Sequence, residues 1–187
     1  MTQELIEEIK PDVVIVATGA VPIIPPIPGI NGNNVYLASE VEEKGTDQLG
    51  DEIVILGGGL VGCETAIHLG KLGKKVTVVE MRSEAAADCN CFHKIAIGME
   101  LEKYVTVLTD TKAENITDKG LEGLDKDGNK IFVSADAVIC AAGMRSDTTV
   151  ADMVQKMEIE MYVIGDAVRP NKVTQAIFDG YYIAKYL

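Results

Sequence analysis

Residues 53–80 read IVILGGGLVGCETAIHLGKLGKKVTVVE, and their order decides the fold. An apolar run, Ile53 to Leu56, enters the turn Gly57-Gly58-Gly59-Leu60-Val61-Gly62. A helical pattern follows, and a second, β-branched run from Lys75 to Val79 stops at Glu80. Strand, glycine-rich turn, helix, strand and acid in this order are the fingerprint of a dinucleotide site. The G-x-G-x-x-G spacing alone is weak; the flanking elements and an acid about 20 residues on make it specific. Gly57 permits the tight turn out of the strand, Gly59 lets a pyrophosphate approach the backbone, and Gly62 lets the helix pack close. The helix N-terminus adds unpaired N–H groups and the positive end of the dipole, which together attract a diphosphate. Ala66, Ile67, Leu69 and Leu72 give this helix an apolar face, and Gly70 and Gly73 mark its end.

Glu80 carries the choice of nucleotide. A carboxylate at the end of the second strand accepts hydrogen bonds from the adenosine ribose hydroxyls and repels a 2′-phosphate, which favours NAD. Arg82, two residues on, leaves NADP open, because a guanidinium can take that phosphate.

The 187 residues suffice for one domain or two small ones. Apolar residues at 47% and charged residues at 25% are ordinary for a globular chain with a real core. A net charge of −12 without any basic cluster argues against a nucleic-acid partner. No apolar run reaches the roughly 18 residues of a membrane span. The N-terminus, MTQELIEEIK, is acidic and amphipathic, unlike a signal peptide, so a cytoplasmic location and no membrane partner are expected. Cys63 and Cys140 lie in apolar stretches and read as core residues. Cys89-Asn90-Cys91, in a polar segment, admits a reactive or metal-binding role but reads first as two free thiols in a loop; Cys-x-Cys-x-His with His93 is by itself too poor a ligand set to assign zinc, so no metal site is assigned.

Outward from the fingerprint, residues 3–10 read as a short helix ended by Pro11, and 12–20 (DVVIVATGA) as a buried strand running into small residues. VPIIPPIPGI is a stiff extended connector, since its prolines forbid a helix or a central strand. Residues 31–50 read as a second linker with about one helical turn. After the fingerprint come a helix at 92–103, a strand at 105–109, and three short strands near 112–117, 120–125 and 130–134 forming an antiparallel meander. Strands at 136–143 and 161–167 and a final helix at about 172–186 complete the chain. Three strands thus end in small residues: ATG at 17–19, AAG at 141–143 and GDA at 165–167. In an open α/β sheet, such carboxyl ends face the ligand crevice.

This series of motifs resembles the two-dinucleotide-fold flavoprotein reductases, in which an NAD(P)H domain interrupts an FAD domain. PDVVIVATGAVP and EMYVIGDAVRPNKVTQAIFDGYYIA are most similar to the C-terminal part of the 2,4-dienoyl-CoA reductase, 2-enoate reductase and trimethylamine dehydrogenase group. The resemblance implies an α/β, Rossmann-like FAD/NAD(P)-binding fold, a parallel sheet with helices plus an antiparallel meander. It divides the chain into a first FAD-domain segment and linker (1–45), an NAD(P)H domain (46–144) and a last FAD-domain segment (145–187). It implies that Gly57, Gly58, Gly59, Leu60, Val61 and Gly62 hold the pyrophosphate of NAD, with Glu80 and Arg82 at the adenosine ribose and Gly143 beside the nicotinamide half. Glu64 lies towards the nicotinamide by the same analogy, with a solvated or structurally paired glutamate as the competing reading. Thr18, Gly19, Gly165 and Asp166 match FAD-contacting motifs. The family's own FAD fingerprint has no counterpart before Asp12, so the chain reads as part of a larger flavoenzyme. Its partner would be the remainder of that polypeptide, including the rest of the FAD domain and an FMN-binding barrel with a 4Fe–4S cluster. No residue qualifies as a catalytic nucleophile or general acid, and no C-x-x-C is present. The reading is thus a part of an NAD(P)H:flavin oxidoreductase, inactive alone; the alternative is a non-catalytic nucleotide-binding or interaction module on a vestigial flavoprotein fold.

Overall fold

A computed structural model describes residues 1–41, 43 and 45–187 in full and the backbone alone at 42 and 44. In chain order, α1 (Gln3–Ile9), β1 (Val13–Val16) and β2 (Ala20–Pro22) precede β3 (Val35–Leu37) and α2 (Ala38–Lys44). Then come β4 (Glu52–Leu56), α3 (Leu60–Lys71), β5 (Lys75–Val79), α4 (Cys91–Tyr104) and β6 (Val105–Leu108). The meander is β7 (Lys112–Thr117), β8 (Gly120–Leu124) and β9 (Lys130–Ser134). The chain ends with β10 (Ala137–Cys140), β11 (Met144–Ser146), α5 (Thr149–Gln155), β12 (Glu160–Val163) and α6 (Val173–Tyr186). Two compact units result: Ile23–Gly143, and Met1–Pro22 together with Met144–Leu187.

The first of these is built on a five-stranded parallel sheet of order β3-β10-β4-β5-β6. Alternation along each strand explains its unbroken apolar runs. Ile53, Ile55, Val76, Val78, Ala137 and Ile139 pack with Ala66 and Leu69 of α3 and with Val41 of α2. Val54, Leu56, Val79, Val138 and Cys140 pack with Ala113, Ile116 and Leu121 of the meander. Both faces are covered over the central strands, so Ile53 to Leu56 and Ala137 to Cys140 stay apolar at both parities. Each fully buried aliphatic side chain contributes about 1.5–3 kcal/mol.

In the meander, the carboxylate Oδ1 of Asp125 accepts the N–H groups of Asp127 and Asn129 and shapes the turn before β9. α4 starts where the Asn90 side chain accepts the His93 N–H at 2.9 Å.

Three sequence expectations change here. Residues 31–50 are more than a linker: β3 joins the edge of the parallel sheet through β10, and α2 runs for seven residues, its start held by the Glu40 carboxylate accepting the Leu37 N–H. A three-residue strand in a polar, glycine-punctuated stretch has too short a period to be read without its neighbour. Leu72 lies beyond the end of α3 and is exposed, so the helix buries Cys63, Ala66, Ile67 and Leu69 instead. The extended connector contributes to one short strand, β2, which among the described residues pairs with β11 alone, as befits a strand ending in Pro22.

In the second unit, β1 and β12 pair in parallel from Val13↔Glu160 to Val16↔Val163. Ile6 of α1 and Ala151 and Val154 of α5 close a small core over Val14 and Val16. α6 buries none of its residues; Val173, Ile177, Phe178, Tyr181 and Tyr182 are all exposed.

Candidate functional site

The carboxyl ends of β4 and β10 lie side by side, with their connections on opposite faces: the chain leaves β4 for β5 through α3 on one face and reaches β10, on the other side of β4, from the meander on the other face. This is the topological switch point of an open α/β sheet, where ligands bind. A cavity of about 670 Å³ opens there. Its floor is Leu56, Gly57 and Gly59 after β4, and Ala141 to Gly143 after β10. Val79 to Arg82 after β5 form one wall, and Pro25 to Ile27 and Thr111 to Glu114 another.

The glycine turn follows from contacts that admit no side chain. Gly57 has φ +109°, and a Cβ there would lie 2.5 Å from the Ala141 carbonyl oxygen. A Cβ on Gly62 would lie 2.0 Å from the Gly57 carbonyl oxygen, so α3 starts against the turn only because residue 62 is glycine. Gly59 differs. It is the N-cap of α3 with no side-chain cap, and a Cβ there would meet only the Asp88 carboxylate, at 3.8 Å. No packing contact requires glycine at this position, and the space above its backbone faces the cavity.

Glu80 is buried, 8% exposed, and held from both sides. Its Oε2 accepts the Gly58 N–H at 2.6 Å and its Oε1 the Arg82 N–H at 2.7 Å. Its backbone continues the sheet, with its N–H donating to Leu108 O and its carbonyl accepting from Thr111. Arg82 is exposed on the same wall.

Of the residues singled out in sequence, Gly57, Gly59, Glu80, Arg82 and Gly143 line this one cavity. Gly58 and Gly62 lie buried beneath it, and Leu60 and Val61 open α3. Glu64, one turn into α3, is exposed and lies 3.8 Å from Nε2 of His93 on α4. Thr18, Gly19, Gly165 and Asp166 belong to the other unit. There the Thr18 hydroxyl donates to the Asp147 carbonyl at 3.0 Å, and Gly19 turns the chain at φ +78°. Gly165 lines a cavity of about 720 Å³ with Arg169, Asn171, Asp179 and Tyr182, and its N–H donates to the Asp179 carboxylate at 3.1 Å. The Asp166 carboxylate accepts the Asn171 N–H, also at 3.1 Å.

Asp88 and Thr111 went unread in the sequence. Asp88 Oδ1 accepts the Leu60 N–H at 2.9 Å, and buried Thr111 closes the turn after β6 by donating to the Thr109 carbonyl. A helix whose N-cap is glycine needs a cap from elsewhere, but spacing does not say where. Cys63 and Cys140 are buried free thiols, and burial pushes Cys63 up to about 11. Among the described residues no helix is long and apolar enough to cross a membrane.

Residues 2–180 match the pyridine nucleotide-disulphide oxidoreductase family, and the chain belongs to it. Among its relatives, the NADH oxidase of Thermoanaerobacter brockii is 32% identical over 186 residues, which cover 97% of this chain and 29% of that protein. The cinnamate reductase of Clostridium sporogenes is 32% identical over 190 residues, covering 98% of this chain and 28% of the relative. A solved 2-naphthoyl-CoA reductase complex superposes with a TM-score of 0.89 at 33% identity, over 97% of this chain and 28% of that one. The chain therefore spans under a third of the length of these relatives.

Proposed function

We propose that this chain is the pyridine-nucleotide-binding part of an NAD(P)H-dependent flavin oxidoreductase, related to the 2,4-dienoyl-CoA and 2-enoate reductase group. Names such as NADH oxidase and cinnamate reductase among its relatives support that reading. The observation that carries it is the open glycine. Gly59 alone in the turn has no packing reason to lack a side chain, and it stands at a helix N-terminus on the floor of the switch-point cavity. A diphosphate suits that position because the first N–H groups of a helix have no partner within it and stand at the positive end of its dipole.

Residues 46–144 form the nucleotide domain in this reading, with 1–45 as the first FAD-domain segment and a linker that adds β3 and α2 to the nucleotide unit, and 145–187 as the last FAD-domain segment. Glu80 accepts from the adenosine ribose with lone pairs left over from Gly58 and Arg82, and its charge disfavours a 2′-phosphate, so NADH is the preferred coenzyme. Ala141 to Gly143 let the flat nicotinamide half pass close to the backbone, and Glu64 borders that end. The nicotinamide, when bound, supplies hydride chemistry; the protein orients it and excludes water. Thr18, Gly19, Gly165 and Asp166 face the flavin in the complete enzyme. FMN and a 4Fe–4S cluster belong to the remainder of the polypeptide, as does the final substrate's site.

Titration of this chain with NADH and NADPH by fluorescence or calorimetry tests the proposal. Saturable NADH binding, tighter than NADPH, is expected. Absence of saturation by either below about 1 mM, roughly 4 kcal/mol of binding energy, would overturn it.

A further inference from the structure

Asp88 stands on the seat that a diphosphate would take. Its Oδ1 accepts the Leu60 N–H at 2.9 Å from a position 28 residues further along the chain, and both its carboxylate oxygens lie 3.8 Å from where a Gly59 Cβ would stand. The segment that carries Asp88, between β5 and α4, is tied to the glycine turn. The Ala86 N–H donates to the Gly58 carbonyl at 2.7 Å, and the Cys89 N–H donates to the Ala86 carbonyl at 3.1 Å. Ala86 is 1% exposed and holds φ +52°, in the left-handed region that a residue with a side chain seldom adopts. The carboxylate itself is exposed and lines the cavity with Glu80 and Arg82.

We propose that Asp88 is an internal plug of the nucleotide site: its carboxylate caps α3 when the cavity is empty, and dinucleotide binding requires it to swing away. The inference rests on the dinucleotide reading of this cavity. A single N–H of Leu60 cannot serve a carboxylate and a diphosphate together, and two anions at hydrogen-bond spacing repel. Displacement needs no unfolding, since the Asp88 side chain moves from one exposed position to another while Ala86 keeps the segment anchored.

The plug has two effects of opposite sign. Removing the carboxylate uncaps α3 and lowers the stability of the free chain. It also removes the anion that the nucleotide must displace, so binding tightens. A residue that served the fold alone would weaken stability without tightening binding, and a residue that held the nucleotide would weaken binding.

The test compares this chain with Asp88→Ala and Asp88→Asn, following NADH fluorescence on titration and the thermal midpoint with and without NADH. Asp88→Ala is expected to melt lower when free, to bind NADH about tenfold tighter or more, and to gain a larger rise in midpoint from NADH. Asp88→Asn keeps an oxygen that can accept the Leu60 N–H while losing the charge; it should fold as the parent does and bind NADH with intermediate affinity, which carries the test should the alanine variant fold poorly. Unchanged or weaker NADH binding by both variants, with the parent chain binding normally, would overturn the plug and leave the nucleotide site standing. Absence of NADH binding by all three would overturn the dinucleotide reading and the plug with it.

Discussion

Glu80 and Gly58 are joined by a 2.6 Å hydrogen bond in which a buried carboxylate oxygen accepts the amide of the middle glycine of the turn. The other oxygen accepts the Arg82 N–H, so the acid that marks the ribose site in sequence also clamps the end of β5 to the turn between β4 and α3. In the proposed reading, fold and nucleotide preference meet in one side chain. Glu80→Ala should therefore lower stability by about 2–3 kcal/mol, the scale of charge-assisted hydrogen bonds lost from a buried position. It should also raise NADPH affinity relative to NADH. Glu80→Gln keeps one good acceptor and should lose less. Urea unfolding and paired coenzyme titrations measure both effects; a Glu80→Ala chain as stable as the parent would show that the clamp carries no net energy.

Gly59 and Gly62 separate in the same way between site and scaffold. A Cβ at 62 would sit 2.0 Å from the Gly57 carbonyl oxygen, a backbone atom with nowhere to go. Gly62→Ala should destabilise the chain by about 2–3 kcal/mol through overpacking. Gly59→Ala meets only the Asp88 carboxylate at 3.8 Å and should cost under about 1 kcal/mol of stability. It should nonetheless weaken NADH about tenfold, because the methyl group occupies the diphosphate's approach. Equal loss of stability in the two variants would refute this division.

The central βαβ unit was legible because its signals are local: apolar runs from Ile53 and Lys75, glycines at a set spacing, and an acid at the strand end. The structure returns it with β4, α3 and β5 in place. What escaped was nonlocal. β3 is three residues long and is a strand only because β10 lies beside it, which no window around 35–37 can reveal. Leu72 reads as the next apolar position of α3, yet the chain leaves the helix at Lys71 and turns at Gly73, φ +86°, which leaves Leu72 in solvent. Asp88 sits in a polar loop, and only its return across 28 residues to Leu60 places it at the site.

The cysteines should differ sharply in reactivity. Burial pushes the Cys63 thiol up to about 11 and raises that of Cys140, while Cys91 is exposed at the start of α4. The thiolate is the reacting form, so at pH 8 roughly one Cys63 side chain in a thousand is ionised, and that one is shielded from the reagent. Brief iodoacetamide treatment of the folded chain should modify Cys91 and spare Cys63 and Cys140, with all becoming reactive in denaturant. Peptide mass spectrometry reads the pattern directly, and early labelling of Cys63 would mean that α3 opens readily.

Asp136 should give the parallel sheet part of its acid sensitivity. Its Oδ2 accepts the N–H groups of Asp51 and Glu52, both at 2.9 Å, and so ties the entrance of β10 to the entrance of β4. Those two N–H groups hold the carboxyl below its ordinary 3.8, the Glu52 amide contributing most. A carboxylate whose folded value is depressed adds stability that is fully present above the unfolded value and is lost as pH falls through the folded one. Asp136→Asn should therefore unfold at lower urea than the parent at pH 7, and the gap should close as pH drops through the region below about 4. Urea midpoints of the two chains measured from pH 7 down to pH 2 check the sign. A gap that stays constant over that range would mean that the bond to the two amides does not depend on the charge of Asp136.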